Sequence, residues 1–282
     1  MAPDTPPSPI GLNTWALGEF EWQERTDAYD LIRTALQHDL TYLDCSPLYG
    51  RGRSEKRVGT ILDDLGAQSD CYVATKLGFR SSGPKSFDAV KDYDTLRRQL
   101  EESLRRLQRD RLELCLLYQN PQVSHDRLQE WSERLREDGR VQSIGFVVLD
   151  SVERPSELSS FDYVMKPGSL FDVIENSSPV SSSCTTIGYD PLYGGLFDQQ
   201  YAEVDSEVLD YEVRRHHPKF TANRVEYLSA LKKVQHQYRE EHRNDLPLES
   251  RTLAWLLNEG PDRHLVLGMR NAEDLHRALR AQ

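Results

Sequence analysis

Two hydrophobic periods alternate along this chain. Short apolar runs are each followed by a longer stretch in which apolar positions recur every three or four residues. Ile10–Trp15 (IGLNTW) reads as a first strand and Asp27–His38 as the first helix. Leu40–Asp44 is the second strand, and Arg53–Leu65 the helix after it, with Val58, Ile61, Leu62 and Leu65 on one face. Cys71–Thr75 is the third strand and ends on Lys76; Leu77–Tyr93 reads as a polar loop with Gly78, Gly83 and Pro84. Asp94–Leu107 is a helix whose Leu96, Leu100, Leu104 and Leu107 share a face, with Asp94 placed to cap it. Leu112–Leu117 is an apolar fourth strand, His125–Glu137 a helix stopped by Asp138-Gly139, and Val141–Val148 the fifth strand. Phe161–Met165 and Thr185–Tyr189 are the sixth and seventh strands. Val225–Arg243 and Leu248–Leu257 read as helices, His264–Leu267 as the eighth strand and Asn271–Ala281 as the closing helix. Gln199–Phe220 shows no readable period.

Strands alternating with amphipathic helices define the α/β class, a parallel sheet with crossover helices. The count fits a parallel eight-stranded (β/α)8 TIM barrel, a single domain over residues 1–282. With 38% hydrophobic and 29% charged residues, the chain can bury a large core. Its net charge of −11 argues against nucleic acid or a membrane surface as partner, since both are polyanionic. No apolar run approaches the roughly 20 residues of a membrane span, and Met1–Pro9 is a polar, Pro-rich tail; a cytoplasmic protein is expected. Cys45, Cys71, Cys115 and Cys184 form no CxxC or Cys/His pair and read as small buried hydrophobes of a reducing compartment, with no metal site. Oligomeric state leaves no mark in the sequence.

The candidate chemistry sits in Thr41–Gly50 (TYLDCSPLYG). Tyr42-Leu43 delivers Asp44, and Tyr49 follows five residues later on a Gly-containing turn. The next strand ends on Lys76. Two consecutive strands thus carry ionisable residues at their C-terminal ends, which converge on one face of a parallel barrel. A phenol of ordinary pKa, about 10, is a poor proton donor or acceptor near neutrality. A nearby ammonium stabilises its phenolate, and a carboxylate keeps that ammonium charged and aimed. Tyr49, Lys76 and Asp44 are therefore read as a proton-relay tyrosine, its tuner and its orienter.

The run LDCSPLYGRGRSE resembles the aldo-keto reductase motif F-D-T/S-A-x-x-Y-G-x-G-x-S-E, and VATKLG resembles that family's next strand, which supplies the lysine. IGLNTW is similar to the opening G-x-G-T-W, DGRVQSIGF to G-K-V-R-x-I-G-V, and DPLYGG (Asp190–Gly195) to S-P-L-x-x-G. The resemblance covers nearly the whole chain. It implies a fourth catalytic residue, usually histidine, at the end of the fourth strand, where this chain has Tyr118. Either Tyr118 donates a hydrogen bond to a carbonyl oxygen or it fills the barrel mouth; Gln119 is a second polar candidate there.

The resemblance also implies a nicotinamide cofactor, with contacts from Asp44, Tyr189, Asp190, Leu192, Gly194, Gly268, Met269, Arg270 and Asp274. Tyr189 matches the aromatic that stacks on the nicotinamide, and Asp190, Leu192 and Gly194 match the loop along the pyrophosphate. Val147, Val148 and Met165 stand where the family holds the carboxamide with Ser, Asn and Gln. Gly268-Met269-Arg270-Asn271 follows a strand and opens a helix, a seat for phosphate. Arg270 there would favour NADP, or is a solvated side chain with Asn271 as the helix cap. The Glu-Asn pair expected at the adenine end is replaced by Arg277 and Ala278. Arg214–His217 lacks metal spacing and reads as a loop over the mouth. Trp22 walls the substrate pocket or packs.

The implied activity is NADP-dependent reduction of a small carbonyl compound, an aldehyde or ketone, with Tyr49 as proton donor. Two other readings stay open. One is a non-redox enzyme on the same barrel, a dehydratase, epimerase or lyase using Tyr49 and Lys76. The other is a non-catalytic binding protein that keeps the fold.

Overall fold

The computed structural model describes residues 6–18, 28–83, 86–149, 160–175, 184–194, 248–258 and 263–280. Its strands in chain order are β1 (Ile10–Asn13), β2 (Tyr42–Asp44), β3 (Tyr72–Leu77), β4 (Phe79–Gly83), β5 (Ser86–Ala89), β6 (Leu112–Tyr118), β7 (Val141–Val147), β8 (Tyr163–Pro167), β9 (Thr185–Tyr189) and β10 (Arg263–Gly268). The helices are α1 (Ala28–Gln37), α2 (Arg53–Asp64), α3 (Tyr93–Leu107), α4 (His125–Asp138), α5 (Leu170–Glu175), α6 (Leu248–Asn258) and α7 (Ala272–Leu279), with a 3-10 turn over Thr14–Gly18. β1, β2, β3, β6, β7, β8, β9 and β10 close in that order into a barrel, each neighbouring pair parallel. This is the (β/α)8 barrel.

The period of two along each strand sorts side chains into two layers. Tyr42, Tyr72, Ala74, Leu114, Leu116, Val147, Tyr163, Met165, Ile187 and Val266 pack together inside the barrel. Leu43, Val73, Leu77, Cys115, Leu117 and Ile144 face the other way, against the apolar faces of the helices. The interior series continues upward by twos: Asp44 follows Tyr42, Lys76 follows Ala74, Tyr118 follows Leu116 and Tyr189 follows Ile187. Strand alternation alone therefore delivers these four polar side chains to the top of the barrel interior.

Several elements differ from the sequence reading. β1 ends at Asn13, not Trp15, because Thr14–Gly18 folds over as a 3-10 turn. Ser54 Oγ donates to Thr14 O at 2.7 Å, which ties that turn to the start of α2. Gly18 and Gly50 meet backbone to backbone, and a Cβ at Gly50, whose φ is +61°, would lie 2.2 Å from Gly18 O. The Gly of the Tyr49-Gly50 pair is thus required twice, by its left-handed backbone and by this approach.

Within the stretch read as a polar loop, β4 and β5 form an antiparallel hairpin. Most of its residues are exposed or half-exposed, so no apolar alternation marked it. Gln99 of α3 clamps its base, accepting from Gly78 N at 3.1 Å and donating to Phe79 O at 2.6 Å. The cap of α3 is Asp92 rather than Asp94: its carboxylate accepts from Thr95 N at 2.8 Å. Three of the four cysteines, Cys45, Cys71 and Cys115, are fully buried. The proposed helix Val225–Arg243, the stretch Gln199–Phe220 with Arg214–His217, and Trp22 lie outside the described residues.

Candidate active site

Asp44 and Lys76 end up side by side because β2 and β3 pair in register, Asp44 opposite Ala74. Lys76 Nζ lies 2.6 Å from both Asp44 oxygens, and both side chains are withdrawn from solvent. The ammonium also donates to Cys45 O at 3.1 Å and to the Tyr49 hydroxyl oxygen at 3.1 Å. The three residues singled out in the sequence therefore meet at hydrogen-bonding range, with the half-buried Tyr49 on the mouth side.

A fourth member was not foreseen. Asn13, the last residue of β1 and the register partner of Asp44, donates from Nδ2 to Asp44 Oδ2 at 2.8 Å and to the Tyr49 oxygen at 3.0 Å. Its Oδ1 accepts from Trp15 N at 3.0 Å. The 3-10 turn behind it is pinned too, with Thr14 Oγ1 donating to Asp44 O at 3.1 Å. Only the resemblance carried a signal, since the similar segment G-x-G-T-W has glycine where this chain has Asn13.

The electrostatic balance at Tyr49 runs opposite to the sequence expectation. Burial first, then the Asp44 charge, hold its phenol well above the ordinary value, while the Asn13 hydrogen bond pulls it down. Lys76, donating to the phenol oxygen at 3.1 Å, favours the phenolate, but burial and the adjoining Asp44 carboxylate outweigh it. Burial also raises the Asp44 carboxyl, against Lys76, as charge and as donor, and against Asn13.

Tyr118 sits at the same level, within electrostatic range of Tyr49, Lys76 and Asp44. Burial raises its phenol, and Lys76 and the Ser46 hydroxyl oppose that. Its ring meets Phe79 of the hairpin edge to face at 5.5 Å between centroids. Gln119 is turned to structural work instead: its Oε1 accepts from Leu149 N at 3.2 Å and its own N–H donates to Val147 O at 2.9 Å.

The residues read as cofactor contacts fall in two groups. Tyr189 ends β9 with a partly exposed ring and donates from its hydroxyl to Val148 O at 3.4 Å. Asp190 begins the turn after it, in the left-handed region with φ +54°, and accepts from Gly194 N at 2.5 Å. Leu192 packs partly buried against the core. The second group lies at the end of β10. Gly268 is exposed and pairs with Asn13, and an added Cβ would meet nothing within 4 Å among the described residues, which leaves room there for a ligand's approach. Met269 is buried, leaving only its backbone to offer, and Arg270 is exposed. Asn271 caps α7 by accepting from Asp274 N at 2.9 Å. The Asp274 carboxylate accepts from Arg270 N at 2.9 Å, lies 3.5 Å from the Arg270 guanidinium and pairs with Arg277. A phosphate there would share Arg270 with Asp274.

A dinucleotide fits these residues at Tyr189 and at the open Gly268–Arg270 end. At the remaining contact region Val147, Val148 and Met165 are buried and apolar, and offer no side-chain amide.

The class of protein is a closed (β/α)8 barrel whose mouth holds a carboxylate, an ammonium and a phenol in one hydrogen-bonded set. The comparisons place the chain further: residues 9–282 match the aldo/keto reductase family, and the chain belongs to that family. It is similar to the aldo-keto reductase YhdN of Bacillus subtilis, 29% identical over 238 residues, covering 80% of this chain and 71% of that protein. It is also similar to the aldo-keto reductase yakc [NADP(+)] of Schizosaccharomyces pombe, 24% identical, covering 92% of this chain and 78% of that one. The fold superposes on the glycerol dehydrogenase AKR11B4 of Gluconobacter oxydans with a TM-score of 0.82 at 22% identity, covering 99% of this chain and 88% of that one.

Proposed function

We propose that this chain is an NADP-dependent oxidoreductase that reduces an aldehyde or ketone to an alcohol, with Tyr49 as the proton donor. The observation that carries the reading is the Tyr49 oxygen 3.1 Å from a Lys76 ammonium that is itself locked onto Asp44. With its phenol held above the ordinary value, Tyr49 is protonated at neutral pH but weakly acidic, so the transfer depends on the charge that builds on the carbonyl oxygen and on the Lys76 ammonium beside it. A nicotinamide held there would supply the hydride for the carbonyl carbon. Tyr49 transfers its proton to the carbonyl oxygen as negative charge builds there. The phenolate left behind lies beside the Lys76 ammonium, which offsets its charge. Asp44, fully buried, acts through Lys76 by fixing its position. Tyr118 stands in the carbonyl-orienting position and, kept neutral, has a hydrogen to donate.

Tyr189 would hold the nicotinamide by its ring face, with Asp190, Leu192 and Gly194 beside the pyrophosphate. Gly268, the Met269 backbone, Arg270 and Asp274 would frame the ribose-phosphate end, where Arg270 favours NADP. The NADP(+) in the name of the S. pombe relative is consistent with that choice. The substrate is a small carbonyl compound and the expected location cytoplasmic; no helix among the described residues is long and apolar enough to cross a membrane.

A second reading rests on the buried, apolar Val147, Val148 and Met165, which leave a carboxamide without side-chain amide partners. It is non-redox proton chemistry by Tyr49 and Lys76, or binding without turnover. Titration with NADPH, followed by tryptophan fluorescence, and consumption of reduced nicotinamide with a panel of aldehydes separate the two. Micromolar binding with turnover is the expected result. Binding without turnover of any carbonyl favours the second reading, and failure to bind NADPH or NADH removes the first.

A further inference from the structure

We propose that Asn13 is a positioning residue for Tyr49, whose side-chain amide aims the phenolic proton out of the mouth and stabilises the phenolate once that proton has left. The inference rests on the reading of Tyr49 as proton donor and deepens it.

Hydrogen-bond chemistry at this point is overdetermined. Asn13 contacts a carboxylate oxygen of Asp44 at 2.8 Å, which can only accept, and the Trp15 peptide N–H at 3.0 Å, which can only donate. That pair of neighbours fixes which end of the amide is nitrogen. The second Nδ2 proton then goes to the Tyr49 oxygen at 3.0 Å. Lys76 Nζ, also donor only, reaches the same oxygen at 3.1 Å. Two groups that can only donate thus face the phenol oxygen, and its own O–H has to point away from both. Among the described residues, that leaves the mouth side, where a substrate oxygen would accept it.

The placement follows from the fold. Ile10 and Leu12 face the helix layer, so Gly11 and Asn13 face the barrel interior. At Gly11 an added Cβ would lie 2.4 Å from the Tyr42 ring, so glycine is needed there; at Asn13 the register pairs the residue with Asp44. The family-like G-x-G-T-W has glycine at the position of Asn13, which would give the phenol no such donor. Here a neutral amide shares with Lys76 the stabilisation of phenolate, at a site where burial and Asp44 oppose it.

The sign of the effect is fixed. Removing Asn13 raises the Tyr49 pKa further. Alcohol oxidation needs the phenolate, so at a fixed alkaline pH below that pKa its kcat should fall by roughly tenfold or more, the size of a hydrogen bond to a charged group. The alkaline limb of carbonyl reduction should move to higher pH. The experiment compares wild type, Asn13→Gly, Asn13→Asp and Tyr49→Phe in both directions across pH. A turnover-independent reading accompanies it: the NMR resonance of isotope-labelled tyrosine Cζ, assigned to Tyr49 by its loss in Tyr49→Phe. Asn13→Gly should shift both profile and resonance with KM little changed, and Asn13→Asp, isosteric but without N–H donors, should shift them more. Asn13→Asp also carries the test if Asn13→Gly does not fold. An inactive Tyr49→Phe beside Asn13 variants with wild-type profile and resonance overturns this inference alone. A fully active Tyr49→Phe overturns the reading beneath it and this inference with it.

Discussion

Tyr118 is the residue at which this chain departs most plainly from the pattern it resembles. Its phenol is raised by burial and held neutral, so it can donate a hydrogen bond but cannot shuttle protons near neutrality. Tyr118→His should leave carbonyl reduction intact or raise it, because imidazole can make the same donation; steady-state kinetics read this directly. A collapse of kcat would give Tyr118 a chemical task of its own. At this scale the meeting of Asp44, Tyr49 and Lys76 was legible, because strand-end position and spacing are properties of the chain itself. Asn13 was not legible as a site residue: its contacts exist only after β1 closes against β2 and β10. The direction of the Tyr49 shift was missed for a related reason. Sequence pointed to the nearest cation, but desolvation and the Asp44 charge appear only when the site is built.

Between elements, two contacts hold α2, the helix that follows the turn carrying Tyr49. Glu55 of α2 is fully buried, accepting from Thr75 Oγ1 of β3 at 2.6 Å and from Arg106 Nε of α3 at 2.7 Å. Glu55→Ala would leave a buried hydroxyl and a largely buried guanidinium without this carboxylate, and should destabilise the fold by about 3 kcal/mol. A denaturant midpoint unchanged from wild type would contradict that. Gly59 lets α2 lie on the end of α3, since a Cβ there would sit 2.4 Å from Arg106 O and 2.7 Å from Leu107 C. Gly59→Ala meets backbone, which cannot rotate aside, and should cost about 1–3 kcal/mol despite its better helix propensity. A stabilised Gly59→Ala would mean that the two helices slide apart freely. Helices with strong apolar stripes were readable from sequence; the hairpin β4–β5 was not, because a mostly exposed ribbon has no buried face to write into the pattern.

For the whole molecule, the alternation of periods was enough to read eight strands, their order and their parallel sense, because each apolar strand must be covered by the helix that follows it. Ends shifted by a residue or two where a turn or cap decided them, as at Asn13 and Asp92. Global stability should respond to acid. The Asp138 carboxyl is held below its ordinary range, first by the hydrogen bond from Arg140. A lowered native pKa means that the unfolded chain binds more protons. Its stabilisation is therefore full above the ordinary carboxylate pKa of about 3.9 and is lost as pH falls through the native value. Asp44, raised by burial, works in the opposite sense, losing its contribution as pH rises from the ordinary value to the native one. Asp138→Asn should thus flatten the acid side of the stability curve measured by chemical denaturation, and an acid limb identical to wild type would contradict this.

The most direct measurement of the central claim compares wild type with Tyr49→Phe, following both NADPH affinity and NADPH consumption with an aldehyde. If the Tyr49 hydroxyl delivers the proton, the variant should bind NADPH as wild type does while kcat falls by about 10²–10⁴-fold, the contribution of a positioned general acid. Turnover at the wild-type rate would show that the proton reaches the substrate from another group.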